Sequence, residues 1–323
     1  MSKLLNLSSN PHIRDNVTTA EIMRDVFIAL IPTTLYGIIQ WGFNAALVCI
    51  LTVAAAVISE LVYEKCMKLP ITIKDWSAAV TGLILALNCP PNIPAWIPCL
   101  GAVFAIIIVK QLYGGLGKNF MNPALAARCF LLISFAGKMT SFTGVGADAL
   151  SGATPLAFMK TNPDAIAKVD LGAAFLGRIP GTIGETSMIA IVIGAIFLIL
   201  MGVITLRIPG TYILTFAIFT IIFGGHGFDM NFLVGELAGG GLMLGAFFMA
   251  TDYVTSPITP TGQIIYGILL GVMTGIFRFF GSSAEGVSYA IIFSNLFVPL
   301  IEKATIPRAF GIKKAKKEKE AKA

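Results

Sequence analysis

The chain has 323 residues, of which 56% are hydrophobic and 12% are charged, and its mean hydropathy is +0.84. Soluble domains carry about 25% charged residues. The low charge and the long apolar runs exclude an ordinary soluble domain and predict a polytopic membrane protein. The net charge of +6 is concentrated at the C-terminal end, where Lys and Arg dominate from Lys303 onward. Such a tail is typical of the positive-inside rule and does not indicate a nucleic-acid partner.

The apolar runs predict an all-α protein with about ten transmembrane helices. A polar cytosolic segment, residues 1–22, precedes them, and a basic cytosolic tail, residues 303–323, follows them. The spans of the first half are predicted at about 23–42, 43–63, 76–88, 93–109 and 123–135. Those of the second half are predicted at about 188–206, 209–223, 232–250, 263–280 and 286–301. The third span is short, because a hydrocarbon layer of about 30 Å needs roughly twenty helical residues.

Two similar stretches predict that residues 23–136 and 188–302 are membrane repeats. Thr81-Gly-Leu-Ile-Leu-Ala-Leu precedes a Cys-Pro-Pro break, and Gly240-Gly-Leu-Met-Leu-Gly-Ala precedes a Thr-Asp-Tyr break. Five helices separate the starts of the repeats, and since this number is odd the second copy is inverted. Inverted repeats with broken helices form ligand and ion sites where the repeats meet. The alternative is that two helices rich in Gly and Leu resemble each other by chance.

The charges of the connections predict that both termini face the cytosol. The short outer connections, residues 88–94 and 224–231, contain no Lys or Arg. By the same alternation, the longest polar interval, residues 137–187, is an extracytoplasmic loop. The cations assigned to the inner connections are Lys65, Lys68, Lys74, Lys110, Lys118 and Arg207.

The cysteines do not indicate a metal or iron–sulfur site, because no two of them form a C-x-x-C pair. We interpret them as small residues that pack between helices. The chain also has no dinucleotide-binding fingerprint, so we expect it to be non-catalytic by itself. The five cysteines are Cys49, Cys66, Cys89, Cys99 and Cys129.

Two polar interruptions on the predicted inner face are candidate ligand sites. The segment 114–124 is rich in glycine but does not match a nucleotide-binding P-loop. Its Asn119 and Asn122 supply amide donors and acceptors. The segment 250–262 carries several hydroxyls, two prolines and the carboxylate of Asp252. Irregular backbone at membrane depth is tolerated where it lines a cavity, and a plain cytosolic turn is the alternative.

Two arginines and one threonine are further candidates. Arg128 and Arg278 lie inside predicted spans, where charges are costly and often serve a site, although either side chain could instead snorkel to the interface. In the polar interval, Thr154 presents a hydroxyl among small neighbours in the stretch 148–156. From the residues alone, this stretch is either a modification site or an ordinary loop or helix cap.

Several motifs in chain order resemble one family of membrane subunits. They are Asn10-Pro-His12, Asn88-Cys-Pro-Pro-Asn-Ile-Pro, Gly114-Gly-Leu-Gly-Lys-Asn-Phe-Met-Asn-Pro-Ala-Leu-Ala-Ala-Arg128, Asp148-x-x-Ser-Gly-Ala-Thr154 and Ala250-Thr-Asp-Tyr-Val-Thr-Ser-Pro. This family contains the D subunit of the Rnf complex, the ion-translocating ferredoxin:NAD oxidoreductase. It also contains, more distantly, the B subunit of the sodium-translocating NADH:quinone reductase. The resemblance extends over nearly the whole chain.

The resemblance implies a set of cofactor sites. Thr154 would carry FMN through a phosphoester that a flavin transferase forms, and the recognition segment would comprise Asp148, Ser151, Gly152 and Ala153. A second, non-covalent flavin, riboflavin in the quinone-reductase relative, would bind deeper in the subunit. The candidates for that inner site are Asn119, Asn122, Asp252 and Arg128.

The resemblance also implies a role in a bacterial plasma membrane. The covalent FMN would exchange single electrons with the covalent FMN of the G subunit, within a complex that also contains the A, B, C and E subunits. This electron transfer would be coupled to Na⁺ or H⁺ translocation, for which Asp252, Glu60 and Glu236 are the candidate carboxylates. The alternatives are a small-solute transporter or channel, which inverted repeats also form, and a structural membrane scaffold.

Overall fold

The computed structural model describes residues 17–142, 156, 172, 177, 180–185, 187–281 and 286–307, and this part of the chain is helical and contains no strand. The helices of the first half are α1 (Thr19–Trp41), α2 (Phe43–Cys66), α3 (Ser77–Leu87), α4 (Trp96–Val103), α5 (Pro123–Ser134) and the short α6 (Ala136–Met139). Those of the second half are α7 (Met188–Leu200), α8 (Arg207–Phe223), α9 (Met230–Ala238), α10 (Leu242–Leu244), α11 (Pro260–Phe279) and α12 (Val287–Thr305).

Two helices change their winding before they end. α4 continues as the π-helix Phe104–Lys110, and α10 continues as the π-helix Gly245–Met249. Segments of π-helix are rare and are frequently found at functional sites. In this protein both of them contribute side chains to the same cavity, which is described below.

Capping side chains explain where several helices begin. Thr18 and Glu21 form a capping box at the start of α1, because the side chain of each accepts a hydrogen bond from the other's backbone N–H. Asn122 and Thr259 cap α5 and α11, and each of these helices begins with a proline. Proline is suited to the first helical position, where its missing N–H would have no partner within the helix.

The helices agree with the predicted spans in position but not in length. In the described residues, five helices are long and apolar enough to cross a membrane, and α9 with α10 and its π-helix adds a sixth if this pair counts as one span. The other apolar helices, α3, α5, α7 and α8, have only 11 to 17 residues. The eighth predicted span is interrupted, because the chain bends by 59° between Ala238 and Leu242. Gly240 and Gly241, with φ of 64° and 67°, form this break in a conformation that favours glycine.

The C-terminal part of the polar interval enters the helical core. Residues 181–185 are buried. The N–H of Ile183 donates to the carbonyl of Cys89 at 3.0 Å, and the N–H of Gly184 donates to that of Leu87 at 2.7 Å. These carbonyls lie at the C-terminal end of α3, where no helical N–H follows to bind them. An interval predicted to be an extracytoplasmic loop therefore includes a segment that completes the end of a short buried helix.

Candidate functional site

A cavity lies between α1, α3, α5 and the turn that follows the second π-helix. Its wall combines apolar side chains with a few polar groups, which is the usual composition of a small-molecule site. Three of the four residues expected at the inner site line it, namely Asn119, Asn122 and Asp252. The apolar part of the wall includes Ile22, Met23, Val26, Val80, Ile84, Leu116, Leu198, Val203, Phe247 and Phe248.

The two asparagines of the cavity differ in the hydrogen bonds that their side-chain amides form. The Oδ1 of Asn122 accepts from the N–H groups of Ala124 and Leu125, at 3.0 and 3.4 Å, so this residue caps α5. Asn119 is 6% exposed and donates from Nδ2 to the carbonyl of Met121 at 3.1 Å. Its Oδ1 is buried and has no hydrogen-bond partner within the described part of the chain. Asn119 therefore offers an unused acceptor at the cavity.

Asp252 is engaged mainly in its own turn. Its carboxylate accepts from the N–H of Val254 at 3.3 Å and from the hydroxyl of Thr255 at 3.2 Å. Its carbonyl accepts from the N–H groups of Thr255 and Ser256. These bonds hold the irregular backbone after the second π-helix in place at the cavity wall.

Lys110 is buried in the core, which corrects its assignment to an inner connection. The π-helix continues through this residue, whose exposure is 2%. Its Nζ lies 2.5 Å from Glu60 Oε1 and 2.5 Å from Ser77 Oγ. Gln111 also donates to Glu60, at 2.7 Å. A buried lysine is tolerated here because Glu60 on α2 offsets its charge.

A second polar cluster surrounds the break between α9 and α10. Arg278 donates to the Glu236 carboxylate at 3.0 Å and to the carbonyls of Glu236, Gly239 and Gly240 at 2.6, 2.9 and 3.2 Å. Its guanidinium carbon also lies 5.0 Å from the ring centre of Phe216. Arg278 is 3% exposed, so it does not snorkel to the interface but satisfies the carbonyls of a broken helix.

Arg128 belongs to this second cluster and does not line the cavity with Asn119. It donates from Nη1 to Ser288 Oγ at 2.8 Å, and its Nη2 lies 3.7 Å from Glu185 Oε1. The reason is its position on α5, six residues beyond the Asn122 cap and away from the cavity end of that helix. The inner site expected to combine all four residues is therefore divided between two places.

One described residue of the central polar interval packs against the same cluster. Leu156 is 3% exposed. A Cβ added at Gly239 or at Gly240 would lie 2.9 Å from one of its Cδ atoms. The predicted attachment site, Thr154, and its recognition residues Asp148, Ser151, Gly152 and Ala153 lie outside the described residues.

The sequence does not indicate that Lys110 and Glu185 are buried beside opposite charges. Lys110 follows an apolar run and precedes a glycine-rich connection, which is also the pattern of an ordinary loop cation. Glu185 lies in a polar interval without periodicity, so nothing indicated that it returns to the helices. In the described part of the chain, no group of three or more His, Cys, Asp or Glu residues could hold a metal ion.

Helices of membrane length, buried ion pairs and an internal cavity define an integral membrane protein of the all-helical class. Residues 6–311 match the NQR2, RnfD, RnfE family, and the chain belongs to this family.

Three relatives match nearly the whole chain. The D subunit of the Na(+)-translocating ferredoxin:NAD(+) oxidoreductase complex of Acetobacterium woodii is 47% identical over 320 residues, which cover 98% of each chain. The proton-translocating counterpart of Clostridium ljungdahlii is 40% identical and covers 96% of this chain and 97% of the relative. The D subunit of the ion-translocating oxidoreductase complex of Stutzerimonas stutzeri is 37% identical and covers 90% and 91%.

Proposed function

We propose that this chain is the D subunit of an Rnf-type ferredoxin:NAD oxidoreductase complex in a bacterial plasma membrane. The observation that carries the proposal is the identity of 47% to a D subunit over 98% of both chains. The protein relays electrons in a process coupled to Na⁺ or H⁺ translocation and works with the A, B, C, E and G subunits, the last being its nearest electron partner. One relative is named Na(+)-translocating and the other proton-translocating, and this chain is similar to both along nearly its whole length. The proposal therefore includes either Na⁺ or H⁺ as the coupling ion.

The proposed electron carrier is FMN, joined by a flavin transferase to the hydroxyl of Thr154 in the motif Asp148-x-x-Ser-Gly-Ala-Thr. The contact of Leu156 with the helix break supports a role for this stretch. A bound flavin passes electrons singly or in pairs, and the protein tunes it through hydrogen bonds and charge.

A second, non-covalent flavin is proposed for the cavity. The unpartnered Oδ1 of Asn119 supports it, since leaving a buried acceptor unsatisfied costs about 1–3 kcal/mol and a ligand N–H would relieve this. The apolar wall, which includes Ile84 and Phe248, suits the faces of a flat ring system. Asn119 would hold the polar edge, whereas Asn122 and Asp252 would shape the wall, and Arg128 has no direct part.

We also propose ten membrane segments arranged as two inverted repeats, with both termini in the cytosol. Contacts between equivalent helices support this arrangement. The first helices of the two halves, α1 and α7, pack against each other, and so do the last helices, α5 and α12. Such self-pairing is expected around a pseudo-twofold axis in the membrane plane.

A small-solute transporter is the second candidate function, and the cavity between the two halves favours it. The presence of a covalent flavin distinguishes the electron-transfer subunit, which requires one, from the transporter, which does not. The whole complex is produced with its native flavin transferase, and the chain is examined for flavin fluorescence on a denaturing gel. Wild type and Thr161→Ala are expected to fluoresce equally, and Thr154→Ala is expected to lose all covalent flavin.

Absence of fluorescence from the wild-type band would refute the flavin carrier and favour the transporter. A fluorescent band in Thr154→Ala would assign the attachment to another residue. Because Thr161 is a threonine of the same interval outside the motif, it controls for a general disturbance of that segment.

A further inference from the structure

A chain of hydrogen bonds connects the cavity with the surface connection between α2 and α3. Lys110 lines the cavity and donates from Nζ to Ser77 Oγ at 2.5 Å. Ser77 in turn donates from Oγ to Asp75 Oδ1 at 2.6 Å. Asp75 is half-buried and lies beside the exposed residues Lys74 and Trp76. The three side chains thus form an unbroken path between the cavity wall and the protein surface.

The serine hydroxyl has the role that a proton relay requires. It accepts a hydrogen bond on one side and donates one on the other, so a proton that enters at one side can leave at the other. Its position is well determined, because the N–H of Ser77 also donates to Asp75 Oδ1, at 2.9 Å. Ser77 is the first residue of α3 and is 3% exposed, so bulk water does not replace its hydroxyl.

Charge neutralisation alone does not explain this arrangement. Glu60 already offsets the charge of Lys110, and Gln111 supports the carboxylate. Ser77 accepts from a further N–H of the Lys110 ammonium, and its hydroxyl extends the hydrogen bonds to Asp75. Ionisable side chains within membrane segments are costly and commonly mark ion or proton pathways. The connection to Asp75 is therefore the feature that needs a function.

We infer that Asp75, Ser77 and Lys110 form a proton path from the surface to the cavity. The inference rests on the proposed electron-transfer function, because it assigns the path to a redox ligand that binds a proton when it is reduced. Electrons come from the oxidoreductase chemistry of the complex, and the path supplies protons only. The other titratable groups around Lys110 are Glu60 and Glu64 on α2, and Asp252 and Tyr253 across the cavity.

The transfer balances as a sequence of exchanges. The Lys110 ammonium gives one proton to the ligand and becomes a neutral amine beside Glu60. Asp75 takes a proton from the solvent. Ser77 then turns its hydroxyl from Asp75 to the neutral Nζ, passes its proton to Nζ and receives the proton of Asp75, so one proton has moved from the solvent into the cavity. The charges of Lys110, Ser77 and Asp75 are restored.

The test measures proton uptake directly, so it does not depend on turnover. The purified complex is reduced with dithionite in a stopped-flow instrument, and a pH-indicator dye and flavin absorbance are followed separately. Ser77→Ala is expected to slow proton uptake at least about tenfold, a threshold set below the roughly 10²–10⁴-fold effect of a positioned proton donor. Ser77→Thr keeps the hydroxyl and is expected to remain within about twofold of wild type.

Two more variants make the result decisive. Asp75→Asn can still accept the bonds from Ser77 but cannot carry a proton, so it is expected to slow uptake as well. Ser59→Ala removes a buried hydroxyl that is next to Glu60 but lies outside the cavity and donates to the carbonyl of Ala55. This variant is expected to behave as wild type. Wild-type uptake rates in Ser77→Ala or in Asp75→Asn overturn the inference. A wild-type complex without reducible flavin instead refutes the proposed function, and the path with it.

Discussion

Three pairs of buried charges in the described residues join different parts of the chain. Glu60 meets Lys110, Glu236 meets Arg278, and Glu185 lies near Arg128. Two of the carboxylates expected to couple ion movement, Glu60 and Glu236, are therefore already neutralised. Removing one partner of such a pair costs about 3–5 kcal/mol. An ion that passes these carboxylates must displace a cation rather than fill a vacant site.

Asn119 is the residue whose replacement best tests the proposed cavity flavin. Asn119→Leu removes the unpartnered acceptor and keeps the approximate size of the side chain. We expect a roughly 5- to 150-fold loss of non-covalent flavin affinity, because leaving the ligand's buried N–H without an acceptor costs roughly 1–3 kcal/mol. Flavin released by acid from the purified complex measures it, while the covalent flavin on the denatured chain should be unchanged.

The matched control for Asn119 is Gln263. Its amide oxygen is also buried without a partner in the described part of the chain, but the residue does not line the cavity. Gln263→Leu should retain the wild-type content of released flavin. Equal retention in Asn119→Leu would show that the amide does not hold a flavin in this cavity.

At the scale of single residues, the sequence predicts the positions of residues whose surroundings are determined by their neighbours in the chain. Asn122 precedes a proline and an apolar run, which is the pattern of a helix cap, and Asp252 lies in a conspicuous polar interruption. Both were therefore expected at the cavity, and both line it. Lys110 was misassigned because its partner, Glu60, is 50 residues away in the chain. No local pattern records a contact of that kind.

At the scale of helices, the distinctive element is the segment 180–185, which completes the end of α3. Gly184 makes this possible, because a Cβ there would lie 2.7 Å from Leu87 Cβ, 3.0 Å from the Leu87 carbonyl oxygen and 3.1 Å from Leu244. Gly181, three residues earlier, has more room, since its Cβ would lie 3.6 Å or more from its neighbours. The two glycines thus differ in packing but share the same short segment.

We expect Gly184→Ala to destabilise the protein by about 1–3 kcal/mol, as overpacking of a tight core usually does. Gly181→Ala should change stability by less than about 0.5 kcal/mol, the usual range for sites without a specific constraint. Unfolding of the purified protein or complex in detergent, followed by circular dichroism, measures both. Equal stability of the two variants would show that the contact between segment 180–185 and α3 contributes little.

The helices themselves were predictable because apolar runs and caps are local signals. α2 and α5 begin at the predicted residues, Phe43 and Pro123. The two π-helices and the 59° bend were not predicted, because they depend on packing between the halves. The bend does carry a local signal, the consecutive glycines 239–241, but these were interpreted as part of a repeat motif.

At the scale of the whole molecule, the proposed topology rests on the charges of the connections, and Lys110 no longer contributes to that argument. The remaining inner cations, such as Lys65 and Lys68, still flank the end of α2. Cys66 lies there as well and is exposed, whereas Cys49, Cys89 and Cys129 are buried. The chain therefore contains a natural reporter for the side of the membrane on which α2 ends.

A membrane-impermeant maleimide should label Cys66 in inside-out vesicles and not in intact cells. The Cys66→Ser variant measures the background labelling of the other cysteines. Most of this background is expected from Cys99, which is half-buried. A cysteine introduced at Thr161 in that background should show the opposite pattern, because an odd number of proposed spans separates the two positions. Labelling of both positions from the same side would contradict the proposed number of spans, and labelling of Cys66 in intact cells would reverse the orientation. The positive-inside rule favours the cytosolic side for Cys66, since lysines surround it and the connections at 88–94 and 224–231 have none.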